Sequence, residues 1–294
     1  MTKLNIEHST VSDKPSWFDY QGLTLSWPRT ASMLSLHLLT LLAFWFFSWQ
    51  ALGVAIALHW LTGSVGVCLG YHRVLTHRSL QLPQWLEYIV VTIGALSLQG
   101  GPLFWVSNHR MHHAFTEDNA RDPHSANRGF WWSHMLWLVY PRGETFDSEA
   151  QRRSVPHIAH NSYYCWLSRY YGWLQLPLGL LLYAVGGWSF ALYGTAVRIV
   201  LLWHSTWFVN SATHFQGYRP FDIPDRSSNL WWVALLTYGE GWHNTHHAEP
   251  HIAPAGRRWW EVDMTWWLIL GLERLGLAHH IKRPISRTEI APSA

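Results

Sequence analysis

Three short stretches carry residues able to do chemistry: His72-Arg73-Val74-Leu75-Thr76-His77, His109-Arg110-Met111-His112-His113 and Gly241-Trp242-His243-Asn244-Thr245-His246-His247. In the second and third, histidines fall at i, i+3 and i+4, which puts three rings on one face of a helix. The pair in the first stretch, at i and i+5, lies about 140° apart on an ideal helix, so a helix end or break is expected inside it. A lone histidine on an apolar face is usually a core residue with a satisfied hydrogen bond. Three such groups in a chain of 20 histidines point instead to metal. A structural zinc site takes four ligands, so eight clustered histidines imply two metals. No HExxH is present, so zinc-protease chemistry lacks its signature. Carboxylate-caged di-iron centres need two Glu-x-x-His pairs and two further Glu, and only Glu240-x-x-His243 has that spacing near the stretches. Neutral imidazoles are therefore expected to hold the metals. Iron is the natural choice if the task is oxygen chemistry.

The elements that must position these rings read as membrane helices. Charged residues make up 13% of the 294-residue chain, against a soluble norm of about 25%. The 22 tryptophans suit aromatic belts at membrane interfaces. Mean hydropathy is near zero (−0.04) because Trp, Tyr and His pull it down. A net charge of +3 is mild, and no nucleic-acid motif accompanies it. Cys68 and Cys165 match no metal spacing and read as reduced thiols.

Residues 1–30 read as a flexible polar arm without a cleavable-signal pattern, and 31–294 as a single domain. Apolar runs at about 31–49 and 51–71 approach the 20 or so residues a spanning helix needs, and the turn between them carries no Lys or Arg. A second hairpin is expected at about 172–186 and 189–213, turning at Gly186-Gly187. Gly66-x-x-x-Gly70 has the small-residue spacing that lets helices approach closely. The segment 84–102 is hydrophobic enough to cross. A full crossing would strand the second histidine stretch opposite the first, so this segment is expected to re-enter or lie along the interface. Of the 21 Lys and Arg, only Arg198 falls within a span, where snorkelling to the far interface is the expected reason. Positive residues mark the cytoplasmic side. The fold class is thus an all-α integral membrane protein of four spans in two hairpins. Both termini and a helical cap (105–171 and 214–294) lie on the cytoplasmic side, and the cap holds a di-metal site.

The three stretches, HRxxxH, HRxHH and HNxHH, resemble those of the Δ9 fatty-acyl desaturases, a histidine-box family of stearoyl-CoA and cyanobacterial acyl-lipid enzymes. The resemblance runs from about residue 55 to 280. It includes Asn210-Ser211-Ala212-Thr213-His214, Asp122-Pro123-His124, Arg128-Gly129-Phe130, Tyr218-Arg219-Pro220-Phe221-Asp222 and Gly239-Glu240-Gly241-Trp242-His243. The stretch Trp259-Trp260-Glu261-Val262-Asp263-Met264-Thr265-Trp266 is most similar to the cyanobacterial branch. The resemblance implies two irons held by His72, His77, His109, His112, His113, His214, His243, His246 and His247, with Asn210 linked through a water. It implies a kinked acyl tunnel near Gln99, Trp105, Thr206 and Trp207. His124 is placed behind the ligands. The implied reaction is O2-dependent Δ9 desaturation of a C16 or C18 acyl chain on a membrane glycerolipid, giving a cis double bond. A plasma or thylakoid membrane is the implied location for a cyanobacterial member.

No haem or flavin motif is visible, so electrons must come from outside. A ferredoxin-like donor is expected ahead of cytochrome b5, and Arg152, Arg153, Arg257 and Arg258 form the basic face expected to receive it. Three other readings compete: an acyl-CoA Δ9 desaturase, a histidine-box membrane hydroxylase and, from a different class, a bis-histidine haem electron carrier. The last requires paired histidines facing each other inside the bilayer.

Overall fold

The computed structural model describes residues 23–284. Most of the expected N-terminal arm (1–22) and the last residues of the cap (285–294) lie outside the described residues. Among the described residues there is no β-strand, only isolated bridges such as Tyr218–Asn229 and Asn229–Trp242.

Helix α1 (Trp27–Leu42) starts four residues before the expected start of the first span at 31, because Pro28 sits in its first turn, where a missing N–H costs nothing. A 3-10 turn carries it on to Phe46. Helix α2 (Trp49–Trp60) opens on Ser48, whose hydroxyl accepts from the Ala51 amide at 3.1 Å. It continues without interruption as a π-helix over Leu61–Thr76, so the second apolar segment runs on through the first histidine stretch rather than stopping at Tyr71. Among the described residues three helices are long and apolar enough to cross a membrane: Trp27–Phe46, Trp49–Thr76 and Ser162–His214. The third breaks at Gly186 (φ −142°) and Gly187 (φ 62°), within the expected Gly-Gly turn. Its two legs are antiparallel: Gly194 sits so close to Leu182 that a Cβ there would lie 2.5 Å from a leucine methyl. The Ser48 and Ser189 hydroxyls meet at 3.0 Å, and Ser189 donates to the Phe46 carbonyl at 2.6 Å. The two hairpin turns are therefore tied side by side.

Helix α3 (Gln84–Ala95) has 12 residues, about 18 Å of rise, well short of the roughly 30 Å hydrocarbon core. It runs antiparallel to the π segment in direct backbone contact. A Cβ on Gly66 would lie 2.5 Å from the Gly94 amide, and one on Gly70 would lie 3.0 Å from the Val90 carbonyl. The Gly66-x-x-x-Gly70 spacing thus serves this pairing. A tight turn with Leu98 (φ 57°) and Gly100 (φ 104°) reverses the chain into α4 (Pro102–Phe115), which returns the second histidine stretch beside the first.

Beyond α4 the chain forms α5 (Ser148–Ser154), then α6 (Ser162–Tyr170), α7 (Gln175–Leu192) and α8 (Arg198–Asn210) within the long apolar stretch, and then the short α9 (Trp231–Leu236), α10 (His243–Ala248) and α11 (Met264–Arg274). The largest core cluster fills the space where the π segment, α3, α4, α6 and α11 meet, around Leu69, Tyr71, Val91, Val106, Leu167 and Ile269. Arg198, expected to snorkel, is instead fully buried at 0% exposure.

Candidate metal centre and cavity

The π winding resolves the angular problem of the first stretch. A π-helix bonds i to i+5, and the His77 amide donates to the His72 carbonyl at 3.0 Å. The wider turn puts both rings on one side, their centroids 4.7 Å apart. The helix then ends with His77 as its cap residue, so the expected end falls at the edge of the stretch and no break is needed. On α4 and α10 the i, i+3, i+4 spacing acts as expected.

Two groups of four histidines result: His72, His77, His109 and His246, and His112, His214, His243 and His247. Within each, the ligand-capable nitrogens all lie within 4.8 Å of one another. His113 stands between the groups. Its Nε2 is 2.9 Å from that of His246 and 3.1 Å from that of His109, and its ring centroid is 4.6 Å from that of His247. The Nε2 atoms of His72 and His246 are 3.1 Å apart, those of His77 and His109 3.0 Å, and those of His112 and His247 3.3 Å. Two imidazole nitrogens bound at right angles to one metal, at about 2.1 Å each, would be about 3.0 Å apart. The buried Nε2 atoms of His214 and His243 have no hydrogen-bond partner at all. Lone pairs converging at this spacing, with two of them orphaned, fit a pair of metal ions.

Carboxylates hold the outer nitrogens. Glu240 meets His72 Nδ1 at 2.8 Å, Asp122 meets His112 Nδ1 at 3.0 Å, Asp225 meets His247 Nδ1 at 2.8 Å and Glu117 meets His214 Nδ1 at 3.3 Å. Such partners fix the tautomer and leave Nε2 facing inward. Burial first, then the charges of neighbouring rings, holds His77, His109, His113, His243 and His246 well below the ordinary histidine range. In His247 burial lowers the value to about 4, against the opposing pull of Asp225. Burial would raise Glu240, but His72 and Arg73 lower it to about 2. Burial thus favours the neutral form of His77, His109, His113, His243, His246 and His247, and carboxylates stand behind four rings of the site.

Glu240 therefore serves His72, not His243 three residues on. It is delivered by a turn in which Gly239 (φ 123°) leaves no room for a Cβ, which would lie 2.5 Å from Asp263 Oδ1. Asp263 and Glu240 together pair with the buried Arg73, at 2.9 and 3.2 Å. Single spacings gave no hint of Glu117 or Asp225, which reach their partners across 97 and 22 residues of chain. His124 packs on His112 with centroids 4.3 Å apart and forms a further group with it and Asp122.

Beside the histidines lies a cavity of about 1370 Å³, above the roughly 300–1,000 Å³ usual for small-molecule pockets. Its walls include His72, His109, His243, His246 and Asn210, and all four residues expected at the kink: Gln99, Trp105, Thr206 and Trp207. Trp105 stacks on His109 (5.0 Å, 23°) and donates from its indole N–H to Gln99 Oε1 at 3.4 Å. The rest of the wall is mostly apolar, through Met33, Leu36 and Leu39 of α1 and Leu176 and Leu180 of α7, with polar groups such as Arg29, Gln151 and Gln175 among them. Leucines recur all along α1 and α7, and nothing in their spacing marks these as cavity-lining.

Inside the apolar helices, His37 Nε2 lies 3.1 Å from His204 Nε2. A haem would hold two such nitrogens about 4 Å apart, one on each side of its iron, so this pair leaves no gap for one. Of the four arginines expected on a donor face, Arg257 pairs with Glu249 at 2.7 Å, and Arg258 lies over Tyr218 at 5.2 Å and Trp260 at 5.6 Å. Arg152 and Arg153 are exposed, as are Arg78 and Arg110, which follow His77 and His109 directly. Arg110 reaches His157 Nδ1 at 3.4 Å.

The sequence profile of the fatty acid desaturase family matches residues 45–282. The sn-2 palmitoyl-lipid 9-desaturase of Nostoc sp. (strain 36) is 58% identical over 257 residues, covering 87% of this chain and 90% of that protein. The sn-1 stearoyl-lipid 9-desaturase of Anabaena variabilis is 50% identical over 260 residues, covering 88% and 94%. The chloroplastic palmitoyl-monogalactosyldiacylglycerol delta-7 desaturase of Arabidopsis thaliana is 42% identical over 272 residues, covering 92% and 73%.

Proposed function

The chain belongs to the fatty acid desaturase family, and from that premise we propose that it introduces a cis double bond at Δ9 of a saturated acyl chain esterified to membrane glycerolipid. It is an enzyme, a desaturase and so an oxidoreductase. The observation that carries the finer reading is the juxtaposition of two four-histidine groups with an apolar cavity. The lipid carrier and the Δ9 position draw support from the names of the two bacterial relatives. The chain-length class is C16 or C18.

The residues divide the work as follows. His72, His77, His109 and His246 would hold one iron, and His112, His214, His243 and His247 the other. His113 stands between the two groups, and Asn210 would act through a water. Bound there, the two irons would supply the oxygen chemistry by which one hydrogen leaves each of two neighbouring methylenes. The balance is one O2, two electrons and two protons consumed, with one double bond and two waters formed. Glu240, Asp122, Asp225 and Glu117 keep the Nδ1 protons on the outer side of their rings. Gln99, Trp105, Thr206 and Trp207 bend the acyl chain past the histidines. Apolar walls exclude water and gain roughly 0.8 kcal/mol for each CH2 they bury. Misplacing the reacting carbons by about 1 Å can cost about 100-fold in rate.

Counting the legs on either side of Gly186-Gly187 separately gives four spans, with the tied turns on the far side and the cap, both termini and the metal centre on the cytoplasmic side. Electrons come from a ferredoxin-like donor. Its landing face takes in the exposed Arg78, Arg110, Arg152, Arg153 and Arg258, whereas Arg257 is half-buried and paired with Glu249. The test is expression in a host lacking monounsaturated acyl chains, with ferredoxin supplied, followed by gas chromatography and mass spectrometry of intact lipid classes. A cis-9 acyl chain in glycerolipid is expected. A hydroxylated chain, or product confined to the acyl-CoA pool, would overturn the reading.

A further inference from the structure

Arg198 is a buried cation to which the reaction assigns no task. Its side chain is fully enclosed (0% exposure), and its donors reach neutral acceptors only. Nε donates to the Gly194 carbonyl at 2.7 Å, one terminal nitrogen to Thr62 Oγ1 at 3.2 Å and the Leu96 carbonyl at 2.8 Å, and the other to Gln175 Oε1 at 3.1 Å. Enclosing a cation without an anion is expensive, and apolar replacement of such groups is often neutral or stabilising. Stability alone is therefore a poor reason for an arginine here. An ionisable residue held inside a membrane span calls for a functional reason.

What the guanidinium holds suggests the reason. Leu96 is the cap residue of α3, so a cation there also faces the negative end of that helix. The same carbonyl accepts from Gln175 Nε2 at 3.0 Å, and the next carbonyl, of Ser97, accepts from the Trp203 indole at 3.2 Å. These ties hold a turn whose backbone is disfavoured. Leu98 sits at φ 57°, a conformation that persists in a non-glycine residue only when its surroundings over-determine it. The turn carries Gln99 into the cavity wall, Gln99 meets Trp105, and Trp105 stacks on His109. Arg198 itself does not line the cavity.

We propose that Arg198 is a positioning residue for regiochemistry: its planar fork fixes the turn at 96–100, and with it the place along the acyl chain where the bend falls. The proposal rests on the desaturase reading above. Arg198 belongs neither to the cavity wall nor to the histidine groups, and it acts through Leu96, Gln175, Gln99 and Trp105. Small movements of this turn change which methylene pair faces the histidine groups.

The test expresses full-length wild type, Arg198→Met and Arg198→Lys in the host lacking monounsaturated chains. Double-bond positions are located by mass spectrometry of dimethyl disulfide adducts. Wild type is expected to give one position. Arg198→Met should place at least a tenth of its double bonds at adjacent carbons, and Arg198→Lys, which keeps the charge but loses the fork, a smaller fraction. Hydrogen exchange at the 96–100 amides should rise at least tenfold in Arg198→Met, with exchange in α4 and α10 unchanged. A single unchanged position, with product scaling only with the amount of protein, would assign Arg198 a merely structural role and overturn the proposal. If Arg198→Met does not accumulate, the lysine variant decides by the same two readouts. Absence of any product from wild type would instead overturn the desaturase reading, while the exchange measurement would still report on the turn.

Discussion

Removing the charge of Asp225 offers a direct measure of what the outer carboxylates contribute. Asp225 Oδ2 lies 2.8 Å from His247 Nδ1, and its other oxygen accepts from the Ser227 amide at 2.8 Å. Burial would raise this carboxyl, but His247 and Ser227 hold it below the usual carboxylate range. Glu240 is a poorer target because its loss would also strip an anion from the buried Arg73, and breaking a buried pair costs several kcal/mol for unrelated reasons. Asp225→Asn keeps the shape and an acceptor oxygen while removing the charge that favours a proton on Nδ1. Loss of such an outer partner typically lowers metal affinity by about 10–100-fold, or about 1.4–2.8 kcal/mol. The pair is short and its carboxylate is 14% exposed, so the middle of that range, about 30-fold, is expected. Asp225 backs only one group of four, so at limiting iron the variant should carry about one ion per chain where wild type carries two. Glu117→Gln acts at 3.3 Å, and its loss should stay below about tenfold. Purified protein is titrated with iron against a chelator of known affinity, and bound metal is counted by plasma mass spectrometry. Wild-type affinity in Asp225→Asn, or equal loss from both groups, would refute the assignment of carboxylates to groups.

Further outcomes follow from the same geometry. His246→Ala and His112→Ala should each abolish turnover while the protein still inserts into membranes; normal fatty-acid profiles in either variant would remove that histidine from the ligand set. Cys68 lines the cavity within one turn of His72, so Cys68→Phe should reduce the share of C18 relative to C16 product, and an unchanged ratio would show that the chain does not pass there. In the metal-free protein, burial depresses His247 and His134 to about 4 and His124 to about 3. Below about 6.5 the unfolded chain then binds protons that the folded protein does not. The apparent Tm should be flat above pH about 6.5 and fall as pH drops toward 4; a Tm that rises on acidification would contradict burial of these rings in their neutral form. Arg78→Glu with Arg110→Glu should lower kcat/KM for an acidic donor by about tenfold and flatten its salt dependence, whereas Arg257→Glu should leave both unchanged.

The parts that sequence determined are those governed by local periodicity. Two histidine stretches at i, i+3, i+4 present their rings together on a helix, and the long apolar runs give helices long and apolar enough to cross a membrane. The return of the chain between residues 84 and 102 was also legible, because the histidine stretches had to meet. Other features depended on partners remote in the chain. The π winding that brings His72 and His77 to one side runs through Gly66 and Gly70, packed on α3, and no helix period announces it. Glu117, Asp225 and Glu240 find their imidazoles only after the cap has folded, since a carboxylate's partner is set by distance in space. Arg198 reads in sequence as a residue reaching for the interface, yet its acceptors on Thr62, Leu96 and Gln175 come from three other segments. A buried cation can be satisfied only by the carbonyls and amides that tertiary packing brings to it.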